Sequence, residues 1–164
     1  MEYQLWRNTN REQKNSFYPS PHFLFTLCGC GRIRYPALPE EPIAFQMGTF
    51  EDTEHDFALF GTLEYNGRTY IGYGTISAAF GQEDVDQCIG YIVMDKNSSS
   101  HPNPNDFNTR VYTLMGDPDH NFLMEYDNTA GLMNQPSFWR AIDTKGKEIE
   151  IPQCVDDLGY DYWK

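Results

Sequence analysis

LEYNGRTYIGYGTI, residues 63–76, decides the fold. Asn66-Gly67 sits between two β-prone runs, 57–65 and 68–76. A two-residue type I′ turn needs positive φ at both central positions, which Asn-Gly supplies, so the stretch predicts a β-hairpin. With Asn66 and Gly67 as the loop, Tyr65 faces Arg68, Leu63 faces Tyr70 and Gly61 faces Gly72. Strict alternation then puts Leu59, Gly61, Leu63, Tyr65, Arg68, Tyr70, Gly72 and Gly74 on one face. Glycine weakens a strand, so three on one face mark a bend, a bulge or a close approach. In a curled sheet such glycines also free volume inside. This reading predicts curvature here and a hollow behind Gly61, Gly72 and Gly74.

The pattern repeats outward from the hairpin. HFLFTLCGCGRIRY (22–35) and IAFQMGTF (43–50) read as strands on either side of PALPEEP (36–42), a proline-rich connection. EDTEHD (51–56) is a polar turn. Residues 77–88 fit no strand, and 89–96 is one. NSSSHPNPNDFN (97–108) is turn chemistry at about the upper length of structureless loops. TRVYTLM (109–115) and NFLMEYD (121–127) flank the turn GDPDH, and SFWRAID (137–143) pairs with KEIEIPQ (147–153) as a further hairpin. No helical period persists. About eight to nine regularly spaced strands predict an all-β fold. It is a single antiparallel β-barrel in the general lipocalin-like or calycin style, or a β-sandwich, with little helix. The absence of a repeat or a composition break predicts one domain over 1–164, with an N-terminal arm (1–22) and an acidic, aromatic tail (155–164).

Composition agrees with a well-filled core. Eleven Phe, eleven Tyr and three Trp carry large apolar area. Twelve basic residues against 24 acidic ones give a net charge of −12. Such a chain repels phosphate backbones and anionic lipid, so neither nucleic acid nor membrane is an expected partner, whereas a basic protein is. No apolar run approaches the ~20 residues of a membrane helix. MEYQLWRNTNREQKN lacks a signal-peptide core, which predicts a cytoplasmic protein with Cys28, Cys30, Cys88 and Cys154 as free thiols.

Motifs for chemistry are weak. CGCG (28–31) with Cys88 and Cys154 lacks the Cys-x2-Cys pairs of zinc sites. Asp117-Pro-Asp119-His-Asn121 opens like a calcium loop, but Phe122 stands at the glycine place and Asn128 at the final glutamate place. No metal and no cofactor is expected. Gly-x-Gly at 72–74 lies inside a hairpin and cradles no phosphate, and no nucleophile elbow appears.

What remains is chemistry needing only one or two polar groups in an apolar pocket. The candidate catalytic residues are Glu64, Tyr73, Glu125 and His120. The candidate ligand contacts are Tyr70, Gly72, Gly74, Tyr91, Tyr112, Tyr126 and Trp139. The expected function is binding of a small apolar or aromatic molecule inside the barrel, with a cofactor-free isomerisation or cyclisation as the reaction such a pocket suits. Two alternatives follow from the charge and the missing motifs. One is an acidic protein-binding inhibitor or nucleic-acid mimic of the viral counter-defence type; the other is a structural or assembly subunit.

Overall fold

A computed structural model describes residues 35–55, 58–93, 108–127 and 135–164, all within one compact unit, Arg32–Lys164. The arm 1–22, the CGCG stretch and all of the strand expected over 22–35 except Tyr35 lie outside the described residues. So does the loop expected over 97–108, apart from Asn108.

The described residues form nine strands: β1 (Ile43–Gln46), β2 (Gly48–Asp52), β3 (Ala58–Tyr65), β4 (Arg68–Ile76), β5 (Val85–Val93), β6 (Thr109–Leu114), β7 (Phe122–Asp127), β8 (Ser137–Ala141) and β9 (Val155–Asp157). Helix among them is limited to single 3-10 turns at 82–84, 142–144 and 161–163. The strand order is β1-β5-β6-β7-β8-β4-β3-β2, with β9 beside β4. Every pairing is antiparallel except β1 with β5. The fold is all-β, a sheet curled into a half-barrel.

The hairpin forms as the sequence predicts. Asn66 (φ 51°) and Gly67 (φ 73°) both take the left-handed region, and Tyr65 pairs with Arg68 and Leu63 with Tyr70. The curl follows from chain connectivity. β1 and β2 lie at opposite ends of the strand order, yet only Met47 separates them. Two Cα–Cα steps span no more than ~7.6 Å. The two edges therefore meet at Met47, and β1 also touches β3. The strand expected over 43–50 is two strands, bent where it passes from one edge to the other. Register shifts between Val85 and Cys88, between Cys88 and Gly90, and between Gly72 and Gly74 add the twist that bulges bring.

The bulge in β4 corrects the single-face reading of its glycines. Gly72 pairs with Trp139 and Gly74 with Phe138, neighbours that point to opposite faces. Tyr73 is the extra residue, so alternation breaks there. Pairing of β3 with β4 ends at Thr62 and Ile71, so Gly61 and Gly72 do not face each other. Beyond that point β9 occupies the edge of β4, pairing with Gly74–Ile76. A Cβ on Gly74 would lie 2.5 Å from the backbone oxygen of Asp156 and 2.6 Å from Val155 Cγ1. Glycine is required there because another backbone comes close.

Two further expectations are corrected. Residues 147–153 form no strand; the chain crosses irregularly to β9, whose partner is β4 rather than β8. Strand β5 begins at Val85, inside the stretch that fitted no strand; its bulges hid the alternation.

Both faces of the sheet are covered. The inner face buries Phe45, Leu63, Tyr70, Ile89, Ile92, Val111, Leu123, Trp139 and Ala141, drawn from seven of the strands. The outer face buries Tyr73, Val85, Cys88, Tyr112, Leu114, Phe122, Met124 and Phe138 beneath Cys154 and Val155, with Trp163, Ile149 and Tyr35 packed against them. Burying a Leu, Ile or Phe side chain stabilises by roughly 1.5–3 kcal/mol, so each cluster is a substantial part of the core.

Candidate functional site

The sequence-nominated residues divide between the faces. Tyr70, Gly72, Glu125 and Trp139 belong to the inner face; Tyr73, Gly74, Tyr91, Tyr112 and Tyr126 belong to the outer face. His120 sits in the β6–β7 turn, and Glu64 is exposed on β3.

On the inner face Tyr70 is wholly buried, and its hydroxyl donates to the His120 carbonyl at 2.7 Å. Burial pushes its phenol up to about 12. A Cβ on Gly61 would meet Met47 Cε at 2.7 Å and Trp139 Cη2 at 3.6 Å. Side chains from the β1–β2 junction and from β8 thus fill the space in front of that glycine. A Cβ on Gly72 would meet only the Tyr160 ring, at 3.9 Å.

The structure brings two nominated residues together. Trp139 Nε1 donates to Glu125 Oε2 at 2.8 Å, along the diagonal between β7 and β8. Glu125 is half-buried, and burial holds its carboxyl above the usual range. The indole hydrogen bond opposes that shift, because it favours the anion, and Asp127 adds to it.

The outer-face tyrosines serve packing. Tyr35 packs against Tyr126 at 4.4 Å and Tyr112 at 5.5 Å. Tyr73 meets Phe122 and Trp163 edge-on at 5.4 and 5.6 Å. The Arg140 guanidinium lies 4.6 Å from the Trp163 ring and 5.2 Å from Tyr73, and its Nε donates to Thr144 Oγ1.

The open space lies at the other end of the sheet. A cleft of about 620 Å³ runs between the β6–β7 turn and residues 148–153, and Asp84 also lines it. The turn is rigidly built. Gly116 and His120 take positive φ, 79° and 49°. The Asp117 carboxylate accepts from the backbone N–H groups of Asn121 and Phe122, at 3.0 and 2.7 Å. This explains the broken calcium motif: Asp117 closes a turn. Arg68 clamps the same turn, donating to the carbonyls of Asp119 and His120, to the Asn121 side chain and to Asp143. The facing wall is tied to Ser77, whose N–H donates to Cys154 O and whose Oγ donates to Gln153 O.

Five carboxylates line the cleft: Asp84, Asp117, Asp119, Glu148 and Glu150. No Lys or Arg does so among the described residues. Asp84 and Asp117 are engaged with backbone N–H groups. Asp119, Glu148 and Glu150 are exposed. Met115, Pro118, Ile149 and Pro152 supply apolar wall between them. A second hollow of about 380 Å³, lined by Asp86 and His120, adjoins across the same turn. Sequence reasoning missed this cleft. The signals were GDPDH and the alternating acids of KEIEI, but only the fold places them opposite each other.

Among the described residues no group of three or more His, Cys, Asp or Glu has metal-binding geometry. Cys88 and Cys154 are free and buried, and burial pushes the Cys154 thiol up to about 11. No described helix is long and apolar enough to cross a membrane. Comparisons with protein-family models, with curated proteins and with solved structures find no match.

Proposed function

We propose that the protein is an acidic binding module that receives a Lys- or Arg-bearing segment of a partner protein in the cleft between residues 115–121 and 148–153. One observation carries this reading. The cleft is walled by five carboxylates with apolar side chains between them, on a chain of net charge −12. Carboxylates attract ammonium and guanidinium groups, and Arg pairs with them bidentately. The apolar wall suits the methylene stems of those side chains. The surrounding negative field speeds encounter.

The test is calorimetric titration with a Lys/Arg-rich peptide and with a Glu-rich peptide of equal length. The basic peptide binds, and binding weakens with salt. The triple variant Asp119→Asn, Glu148→Gln, Glu150→Gln loses about tenfold in affinity or more, about 1.4 kcal/mol. Equal affinity of the variant would overturn the assignment. The three side chains are exposed, so folding is little disturbed.

The Glu125–Trp139 pair favours a second reading, in which a small aromatic molecule binds the inner face and Glu125 exchanges a proton with it. A half-buried carboxyl of raised pKa suits that task. A thermal-shift screen against small aromatic compounds tests it, since a ligand of the native state raises the midpoint. A shift that persists in Glu125→Gln assigns that carboxyl no part in binding.

A further inference from the structure

We infer that the smaller hollow beside the β6–β7 turn is an anchor pocket for an aromatic side chain with a polar tip, tyrosine or tryptophan, on the partner segment. The inference rests on the reading of the cleft as a site for a basic segment, and adds a second side chain that the segment carries.

The hollow measures about 380 Å³. That is at the small end of the ~300–1,000 Å³ that hold drug-sized ligands, so it suits one side chain. Leu114, Met115 and Pro118 give it apolar walls, and no Lys or Arg lines it among the described residues. Met115 is exposed, and its flexible thioether suits the edge of an aromatic ring. Met115, Gly116, Asp117 and Pro118 line the larger cleft as well. A segment crossing this ridge places one side chain in each hollow. Aromatic and arginine anchors in pockets carry most of the affinity of protein interfaces.

His120 supplies the polar contact. Among the described residues its Nδ1 is the buried side-chain nitrogen left without a hydrogen-bond partner. Native structures rarely leave such a nitrogen unpaired, because a buried polar group without a partner is costly. The residue itself lines the hollow. A half-turn about Cβ–Cγ, a soft two-fold torsion, exchanges the two edges of the ring and carries Nδ1 to the other side. Neutral imidazole then accepts a phenol O–H or an indole N–H. The backbone fixes where the ring stands. His120 takes a left-handed φ of 49°, and its carbonyl accepts from Arg68 Nη1 at 3.0 Å and from the Tyr70 hydroxyl at 2.7 Å. The exposed Asp86 carboxylate, which accepts from Thr113 Oγ1, also lines the hollow and offers a second acceptor. Two acceptors favour a ring with a donor at its tip over phenylalanine.

The test is calorimetric titration with peptides that carry an arginine pair and a tyrosine placed one to four residues away on either side. Phenylalanine and alanine versions run beside them, against the parent and His120→Gly. Glycine takes the left-handed φ freely and keeps the carbonyl contacts, so this variant folds. In the parent, the best tyrosine peptide loses about fivefold in affinity as phenylalanine and about a further tenfold as alanine. In His120→Gly the first loss vanishes and the second remains. The Met115 methyl resonance shifts upfield with the tyrosine and phenylalanine peptides and not with the alanine one. If every alanine peptide binds as tightly as its tyrosine counterpart, the anchor is overturned while the cleft stands. A tyrosine preference over phenylalanine that survives in His120→Gly overturns the part given to His120. If no basic peptide binds in any version, the cleft reading fails and the anchor fails with it.

Discussion

The two faces of this sheet are closed by different means. The inner face is filled by side chains of the sheet itself, reaching across the curl from β1 through β8. The outer face is roofed by chain that returns from afar: Cys154, Val155, Tyr162 and Trp163 above Tyr73, Phe122 and Phe138. The inner face thus tests the curl, and the outer face tests the docking of the last ten residues. The glycines mark the difference. Gly74 serves the outer face, where backbone meets backbone, and Gly61 the inner face, where flexible side chain meets strand.

The largest expected effect is on the outer roof. Gly74→Val puts branched carbon where Asp156 O stands 2.5 Å from the Cβ position. Backbone cannot yield as a side-chain tip does, so β9 must leave β4. The expected loss is about 3 kcal/mol, read from the urea midpoint. Protection of the Leu158 N–H, which donates to Tyr73 O, falls with it. A stable variant with that amide still protected would mean that β9 is not what roofs the face.

Trp163→Ala comes next. Its indole packs on Arg140, Tyr73 and Tyr162, and its Nε1 donates to Gly72 O. Removal leaves a gap and strips one ring from a buried cation. About 2 kcal/mol is expected, below the 3–5 of a fully buried Trp because Trp163 is only half-buried. Trp163→Phe restores most of it.

Much of this was legible in sequence, and the part that was not has a physical cause. The hairpin at Asn66-Gly67 was readable because its turn chemistry is local. β6, β7 and β8 were readable because each is a short β-prone run bounded by turn residues. Bulges at Tyr73 and in β5 break alternation, so the face of Gly74 and the start of β5 were misread. The partner of β9 is about eighty residues away in sequence, and no local pattern encodes it. The same holds for the site. Glu125 and Trp139 were each nominated, but their hydrogen bond depends on register, and the cleft depends on two distant segments meeting.

Two carboxyl groups also differ in their response to acid. Glu125 has its pKa raised by burial, so its ionisation opposes folding. That penalty is complete above its folded pKa and vanishes below its unfolded one. Asp143 has its pKa lowered by the Arg68 guanidinium, so its contribution is present above its unfolded pKa and is lost as pH falls through the folded one. Solvent screens that exposed pair, so its share is small. Glu125→Gln is therefore more stable than the parent at neutral pH, by less than either loss above, and the advantage disappears in acid. Asp143→Asn behaves oppositely, losing a little at neutral pH and nothing in acid. Urea midpoints across pH 3–8 check both signs.

The smallest effect falls on the inner face and sharpens the contrast with Gly74. A Cβ at Gly61 meets Met47 Cε, the tip of a flexible side chain, at 2.7 Å, while Trp139 stays at an ordinary 3.6 Å. Met47 can rotate away, since its unbranched chain has three soft torsions. Replacing a strand glycine by alanine also removes freedom from the unfolded chain, a gain of about 0.4–1 kcal/mol. These terms nearly cancel, so Gly61→Ala changes stability by less than about 0.5 kcal/mol. The residual clash is isolated by a cycle with Met47→Ala. With the methyl gone, Gly61→Ala becomes stabilising, and the coupling is about 0.5–1 kcal/mol. A loss at Gly61 as large as that at Gly74 would mean that the inner face is set as rigidly as the outer, with no slack at Met47 for the curl to open.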